Sequence, residues 1–465
     1  MKNKNGWAVL PYNSRKINKN YLISNFYGSW SLLNRQDFLS LEQFNIKEDS
    51  PLFNELYRDG IILKEESIPQ LTNQFRQVNA HLFSDTSLHI AVVTTRCNLK
   101  CNYCQTKTEQ PQDMDFAVAT RILKYIFDVR NQQVNLEFQG GEPLLNWEMI
   151  KFLVENARRI NTVGKDLTLS LVTNGIYLNQ EKIDFLLDNN VNICISLDGP
   201  AKIHNKNRVL DNNQATYDKV ITAIKRLKKA YKKRKINKSL DLLLTVTRYS
   251  LPFAEKIIDE YVTLGVERIA LRPVNKIGFA NKQWGVLGYS PQEFNNFWVR
   301  SMEYILKLNK KGIKIQERMA SVMLQKILKK TNPGYVDLMS PCGAGRSVLT
   351  YMPNGDVYPC DEARMAGSDI FKLGNVLNNE YEELMKSSNL FCICEASLVE
   401  LWDYNSAFLP WTGTCPVLNY IQADNIIPKI HATPLQKIYN FQFEYLFKKL
   451  SESEESKDIF RQWVK

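Results

Sequence analysis

Residues 87–104 read SLHIAVVTTRCNLKCNYC. The first nine form an apolar, β-branched run of the kind that makes a buried strand. Cys97, Cys101 and Cys104 follow at once, spaced C-x3-C-x2-C. Downstream, strand and helix patterns alternate. A helix pattern covers 115–130. VNLEF (134–138) then reads as a strand and 147–160 as a helix. LTLSLV (167–172) precedes a helix at 180–189, and VNICISL (191–197) one at 216–234. LDLLLTV (240–246) precedes 253–264, and RIALR (268–272) precedes 293–310. Six strand–helix units in series imply a parallel sheet with right-handed crossovers. Six are fewer than the eight of a closed barrel. The expected class is therefore α/β, with a partial (β/α)6 TIM-like barrel over residues 86–300. In such barrels function gathers where strands end and loops begin.

The flanks read differently. Residues 1–85 suggest a small α+β, winged-helix-like module. Its signs are a hairpin of Tyr21–Ile23 and Ser29–Leu33 around Gly28, then helices at 36–44 and 50–58 ending at Gly60. Residues 301–340 read as a helical connector. The segment 341–431 is irregular and contains five of the nine cysteines. Residues 432–465 read as a helical, polar tail.

Composition narrows the function classes. Of the 465 residues, 44% are hydrophobic and 23% charged, which excludes global disorder. No apolar run approaches the ~18 residues of a membrane span, so no membrane partner is expected. The opening MKNKNGWAVLPYN has too short an apolar stretch for a secretory signal. A cytoplasmic location and reduced thiols follow as expectations. An odd, unevenly spaced set of nine cysteines then points to metal or catalysis rather than a disulfide framework. Residues 225–238, KRLKKAYKKRKINK, carry nine Lys/Arg and no acid, and account for most of the net +11. Tyr231 is the run's only aromatic residue, so a solvated helix face explains it better than a nucleic-acid partner does.

Three thiolates on one compact loop can hold three irons of a [4Fe–4S] cluster, leaving one iron open to a small molecule. The competing zinc site would need four N/S ligands, and His81 and His89 lie upstream, on or beside a strand. Strand two ends in QGGEPLL (139–145). Gly140 and Gly141 let the backbone approach a ligand closely, and Glu142 is an acceptor placed for an ammonium group. Strand three ends in VTNG (172–175), which includes Asn174. Strand four ends in SLDGP (196–200), which includes Ser196 and Asp198. Strand six ends at Arg272 and Pro273. Turn punctuation alone explains each of these; their joint placement at strand ends is the signal. Cys194, inside strand four, reads as a small buried hydrophobe.

These motifs, with Tyr103 before the third cysteine, resemble the radical S-adenosylmethionine (SAM) superfamily across roughly residues 87–300. The resemblance implies a [4Fe–4S] cluster on Cys97, Cys101 and Cys104, with SAM on its open iron. It implies that the GGEP motif, Gly140 to Pro143 with Glu142, binds the methionine amino group of SAM. Tyr103, Gly140, Gly141, Asn174, Ser196, Asp198, Arg208 and Arg272 complete the cofactor site, with Arg208 suited to pairing a carboxylate. Reductive SAM cleavage to a 5′-deoxyadenosyl radical, followed by hydrogen abstraction from substrate, is the implied activity.

Residues 341–365, PCGAGRSVLTYMPNGDVYPCDEARM, resemble the SPASM extension of peptide-modifying members of that superfamily. The substrate this implies is a ribosomally made peptide or protein, with residues 1–85 similar to the leader-binding, peptide-recognition modules fused to such enzymes, or else a small packing domain. Counting back from Cys415, the extension's later cysteine positions hold Asp403, Ser406 and Thr412. One auxiliary cluster is therefore expected to be lost. Another could survive on Cys342, Cys360 and Cys415, with Cys392 or Cys394 as candidate fourth ligands. Oxygen ligands such as Asp403 substitute poorly where soft thiolates are preferred. Asp361 matches the aspartate that serves as base in sulfatase-maturing relatives, or is a solvated acid beside Glu362. LPYNSRKINKNYLISN (10–25), together with the cysteine segment, is similar to the B-type radical SAM maturase of His-Xaa-Ser peptide systems. A second radical SAM maturase, a His-Xaa-Ser repeat protein and an electron donor such as flavodoxin or ferredoxin would then be partners. The alternatives are an RNA-modifying radical SAM enzyme, suggested by the 225–238 run, and an inactive scaffold, which the intact three-cysteine set opposes.

Overall fold

In the computed structural model the described residues are 6–106, 108, 110–399, 406–427 and 433–465. The chain opens with β1 (Trp7–Val9), β2 (Tyr12–Ile17), β3 (Asn20–Asn25) and β4 (Trp30–Leu33). Next come α1 (Arg35–Glu42), α2 (Pro51–Asp59), β5 (Ile62–Lys64) and α3 (Ile68–Val78). Strands β2, β3 and β4 form an antiparallel sheet, and β1 pairs with β5. The helices start where side chains cap them: Asn34 accepts from the Asp37 N–H and Ser50 from the Phe53 N–H. Gly60, at φ 82°, ends α2 in the left-handed conformation that glycine tolerates. Trp7, Ile23, Leu33, Leu41, Phe53 and Leu56 bury a small core of their own. The hairpin and both helices stand where the sequence puts them. Strands β1, β2 and β5 and helix α3 add to them.

The central part runs β6 (Leu88–Thr94), α4 (Phe116–Asp128), β7 (Gln133–Gly140), α5 (Trp147–Ile160), β8 (Asp166–Thr173) and α6 (Gln180–Asp188). It continues through β9 (Val191–Ser196), α7 (Ala201–Asn207), α8 (Tyr217–Lys233), β10 (Asp241–Val246), α9 (Ala254–Thr263), β11 (Arg268–Ile269) and β12 (Leu271–Pro273). Strands β6, β7, β8, β9, β10 and β12 pair in that order, every pairing parallel. The partial barrel is thus the observed architecture. Its six strands present their C-terminal ends on one rim. The sixth strand differs from the expected RIALR run, because it breaks at Ala270. β11 pairs instead with β13 (Gln316–Glu317), and the buried Glu317 carboxylate accepts the Leu271 N–H at 3.2 Å.

Two short helices, α10 (Phe279–Lys282) and α11 (Trp284–Leu287), lead to α12 (Pro291–Lys310); α13 (Arg318–Lys329) follows β13. The sheet then regains strands from the cysteine-containing segment. β14 (Val348–Tyr351) lies parallel to β6, β15 (Asp356–Tyr358) pairs antiparallel with β14, and β16 (Gly374–Asn375) pairs antiparallel with β15. α14 (Asp361–Met365) separates β15 from β16. The nine-stranded sheet is open, with β12 and β16 at its edges. After β16 come α15 (Tyr381–Met385), α16 (Ser388–Val399), α17 (Pro416–Ala423), α18 (Pro434–Glu452) and α19 (Glu454–Trp463). The tail is helical as expected but not polar throughout. Phe443, Leu446, Phe447, Phe460 and Trp463 are buried in the main core, and Tyr445 meets Trp298 of α12 edge-on at 5.1 Å. Their apolar spacing is diluted by intervening Lys and Glu on the outer face. Among the described residues no helix is long and apolar enough to cross a membrane.

Candidate functional site

The strand ends and the loop after β6 enclose a cavity of about 180 Å3. Cys97, Cys101, Tyr103 and Cys104 line one side. Gly140, Gly141, Asn174, Ser196, Arg208 and Arg272 line the others. Residues drawn from five strand–loop units therefore meet at one place, although 175 positions separate Cys97 from Arg272.

Neighbouring segments hold the cysteine loop by its backbone. The Lys100 N–H donates to the Val209 carbonyl at 2.8 Å, and the Asn102 N–H to that of Asn207 at 2.9 Å. The Phe279 N–H donates to the Cys104 carbonyl at 3.1 Å. The two glycines allow the loop to lie against β7: a Cβ at Gly140 would run into the Thr94 carbonyl oxygen, and one at Gly141 into that of Arg96. Among the described residues no three Cys, His, Asp or Glu side chains converge as ligands of a single ion would. The three thiols stand instead around a space, which suits a cluster in which each thiolate takes a different iron. Burial pushes the Cys97 thiol up to about 11 and Cys101 up to about 12. Without a metal centre these two thiols hold their protons at neutral pH.

Two of the expected site residues sit behind the cavity wall rather than on it. Glu142 is fully buried. Its carboxylate accepts from the Leu144 N–H at 3.0 Å, the Thr173 hydroxyl at 2.7 Å and the Asn174 N–H at 2.7 Å. It thereby ties the end of β7 to the end of β8 and fixes Asn174, whose amide nitrogen donates to Asn98 of the cysteine loop at 2.8 Å. Burial raises its pKa against these three donors. Asp198 is also fully buried. It accepts from the Tyr103 hydroxyl at 2.8 Å, Asn207 Nδ2 at 3.2 Å, Arg208 Nε at 3.2 Å and the Thr245 N–H at 3.2 Å. Arg208 also lies over the Tyr103 ring, 5.2 Å from its centroid. Burial opposes the charge of Arg208, but Asp198 and Tyr103 outweigh it and hold the guanidinium protonated.

His204 belongs to the same network, and the sequence reading missed it. It lies six residues after Asp198 and is fully buried. Its Nδ1 accepts the Asp198 N–H at 3.2 Å. The Thr216 hydroxyl donates to the Arg208 carbonyl at 2.6 Å, so it must accept from His204 Nε2–H at 3.1 Å. Both contacts require the neutral Nε2–H tautomer. Burial pushes His204 down to about 4 from 6.5. His89, buried on β6, is pushed down to about 3 by the same cause. Depressed histidines favour folding only while neutral. Stability is therefore whole above pH 6.5 and falls as the pH drops toward 4, by roughly 3 kcal/mol for His204 alone. Denaturant unfolding at a series of pH values should show this slope, and His204→Asn should flatten it. Equal slopes in both chains would clear His204 of the effect.

A second, narrow cavity lies in the C-terminal part. Cys342, Cys360 and Cys415 line it together with Asp337, Ala344, Glu362 and Ile393. The three cysteines expected to act together do meet there. Cys394 lies outside the lining and donates weakly to the Ala344 carbonyl at 3.6 Å, and Cys392 is exposed. Asp403 lies outside the described residues; Ser406 and Thr412 line neither cavity. Arg272 links the two sites: it lines the first cavity and its Nη2 reaches Glu362 Oε1 at 3.3 Å. Burial and Asp337 push Glu362 up to about 7, against the pull of Arg272.

Asp361 lines neither cavity. Arg364 Nε holds it at 2.7 Å, and Arg364 Nη2 donates to Gln139, on the wall of the first cavity, at 3.2 Å. Asp361 is therefore paired rather than loosely solvated. Cys194 is half-buried rather than packed in the core. It shares a face of β9 with Ser196. The basic run begins on the outer face of α8, whose inner face buries Val220, Ile224, Leu227 and Tyr231, and continues past the helix end at Lys233. Arg234 pairs with Asp184 and Asp188 of α6.

Residues 91–250 match the model of the radical SAM superfamily. The chain carries a radical SAM domain, and that family implies a [4Fe–4S] cluster and SAM. A cysteine-type anaerobic sulfatase-maturating enzyme of Clostridium perfringens is 26% identical over 315 residues, 65% of this chain and 80% of the relative. The structure of anSMEcpe with bound AdoMet superposes with a TM-score of 0.70 at 22% identity, covering 82% of this chain and 98% of that one. Streptococcus suis SuiB bound to the precursor peptide SuiA gives 0.55 at 12% identity, covering 90% and 97%.

Proposed function

We propose that this radical SAM enzyme matures a ribosomally made peptide or protein by abstracting hydrogen from one of its carbons. The observation that carries the reading is the convergence of three loop thiols, the strand ends at Gly140, Gly141, Asn174 and Ser196, and Arg208 after α7 on one cavity. Relatives supply the substrate class: a sulfatase-maturating enzyme by sequence, and SuiB with its precursor peptide by fold. When bound, the reduced cluster and SAM supply a 5′-deoxyadenosyl radical.

The chain's own residues position and shield. Cys97, Cys101 and Cys104 hold the cluster and leave one iron to SAM. Gly140 and Gly141 bring backbone groups within reach of its methionine part. Glu142 orients Asn174 and the end of β7, and contributes negative charge behind the ammonium position. Ser196 and Asn174 offer hydrogen bonds, Arg208 faces a carboxylate, and Asp198 and Tyr103 hold Arg208 in place. Arg272 closes the far wall. Asp361 lines neither cavity and would serve as base toward the substrate only once its pair with Arg364 opens. Such fixed geometry matters because a radical reacts with whatever lies nearest.

Cys342, Cys360 and Cys415 hold one auxiliary cluster in this reading. Residues 1–85 take the leader part of the substrate, 86–300 form the catalytic barrel and 301–340 connect it to the auxiliary segment 341–431, which the 432–465 helices brace. The protein works in the cytoplasm with flavodoxin or ferredoxin as electron donor. Its subfamily is the B-type maturase of His-Xaa-Ser systems, with a second radical SAM maturase and a His-Xaa-Ser repeat protein as partners. The test is anaerobic reconstitution with dithionite, SAM and a His-Xaa-Ser repeat protein. The expected products are 5′-deoxyadenosine and a substrate of altered mass. An intact cluster that yields no 5′-deoxyadenosine, with or without peptide, would sink the reading.

A further inference from the structure

Along β7 the side chains alternate. Val134, Leu136 and Phe138 are buried in the main core, whereas Asn135, Glu137 and Gln139 are half-buried on the opposite face. Gln139 lines the first cavity, so that opposite face is the inside of the open barrel. Ser170 on β8 and Cys194 on β9 lie one alternation below the lining residues Val172 and Ser196 in the same way. The inside of a closed barrel is packed with branched apolar side chains. Here it is polar and partly open, which suits a polar guest.

Glu137 stands about 7 Å below Gln139 along the strand, away from the rim. Its carboxylate accepts from Gln139 Nε2 at 2.7 Å and from the Ser170 hydroxyl at 3.5 Å. Both donors are neutral, and an ionised carboxylate offers about four acceptor positions. The cations of the cavity are committed elsewhere: Arg364 to Asp361, Arg272 to Glu362 and Arg208 to Asp198. Arg318 attracts Glu137 but is exposed and forms no ion pair with it. The acids acting on this part of the inner face are Glu137, Asp241 and Asp361, the cations Arg318 and Arg364, so acid is in excess. Burial raises the Glu137 carboxyl above its ordinary value, and Asp361 adds to this. A cation brought alongside would offset that penalty.

We propose that Glu137 is a specificity-determining residue that binds a cationic side chain of the peptide substrate, a lysine, an arginine or a protonated histidine, inside the barrel. The inference rests on the peptide-maturation reading above. The bound cation would lie one strand alternation deeper than the cavity wall, so the pair would set how far the peptide enters.

The experiment uses the full, anaerobically reconstituted chain with SAM and fluorescently labelled His-Ala-Ser repeat peptides without a leader. Two further peptides carry Lys or Gln in place of every His. Anisotropy is read at about pH 6, where a histidine of ordinary pKa, about 6.5, is mostly protonated. The wild-type chain should bind the His and Lys peptides about tenfold more tightly than the Gln peptide. The isosteric Glu137→Gln should bind all three alike, and Glu137→Asp, which keeps the charge, should retain part of the preference. Glu137→Lys should prefer a repeat peptide with Glu in place of His. An undiminished preference in Glu137→Gln, or equal or absent binding of the peptides by the wild-type chain, would overturn the assignment. 5′-Deoxyadenosine formation and the mass change of the His-Xaa-Ser repeat protein are followed in parallel with the wild-type chain. Turnover there, without a preference that depends on Glu137, would leave the maturation reading standing; loss of both would sink the two together.

Discussion

Replacing Cys97, Cys101 and Cys104 by alanine together is expected to remove about four irons per chain and all 5′-deoxyadenosine formation. Among the described residues no other thiol lines the first cavity, so nothing nearby can substitute as a ligand. The loop's backbone is fixed by Val209, Asn207 and Phe279 rather than by the side chains removed. The fold should therefore survive, and unfolding by denaturant should keep its cooperativity. If the proposed auxiliary cluster exists, about four irons remain in that variant. Full iron content with continued SAM cleavage would disprove the assignment of these three cysteines. The wild-type chain assayed in parallel controls for reconstitution.

Asp198→Ala should cost about 3–5 kcal/mol of stability, because it strands a buried charge. The Asp198 side chain is 0% exposed and that of Arg208 9%, so water cannot take over the lost contacts. Four donors lose their acceptor at once: the Tyr103 hydroxyl, Asn207, Arg208 and the Thr245 N–H. Asp198→Asn keeps the shape but turns one acceptor into a donor aimed at other donors, so it should rescue only part of the loss. Equilibrium denaturation reads both. SAM affinity should fall with them, since Arg208 and Tyr103 line the cavity. A stability change under about 1 kcal/mol, the scale of an exposed pair, would mean that Asp198 does not hold Arg208.

Much of this was legible in the sequence because it rests on local patterns. Buried parallel strands are nearly continuous apolar runs, so VNLEF, LTLSLV and VNICISL announce themselves. The three cysteines sit within eight residues, and their spacing survives whatever the rest of the chain does. The misses have physical reasons too. β14 is four residues long and reads as part of a loop, yet it extends the barrel sheet by pairing with β6. α18 carries Lys and Glu on its outer face, which hides the Phe443 and Phe447 stripe that packs inward. His204 has no signature at all, because its role depends on Asp198 and Thr216 being brought to its two nitrogens.

By itself, then, the sequence determined the partial barrel, the thiol loop and the strand ends that must face it, because periodicity and spacing are local and a parallel sheet puts every strand's C-terminus on one rim. Only the tertiary structure decided which of those residues face the cavity and which stand behind its wall. Glu142 and Asp198 looked like ligand contacts and are buried braces, since three or four backbone and side-chain donors reach each carboxylate first. Arg272 and Glu362 are 90 residues apart, and they join the two cysteine cavities only because β12 and α14 meet in space.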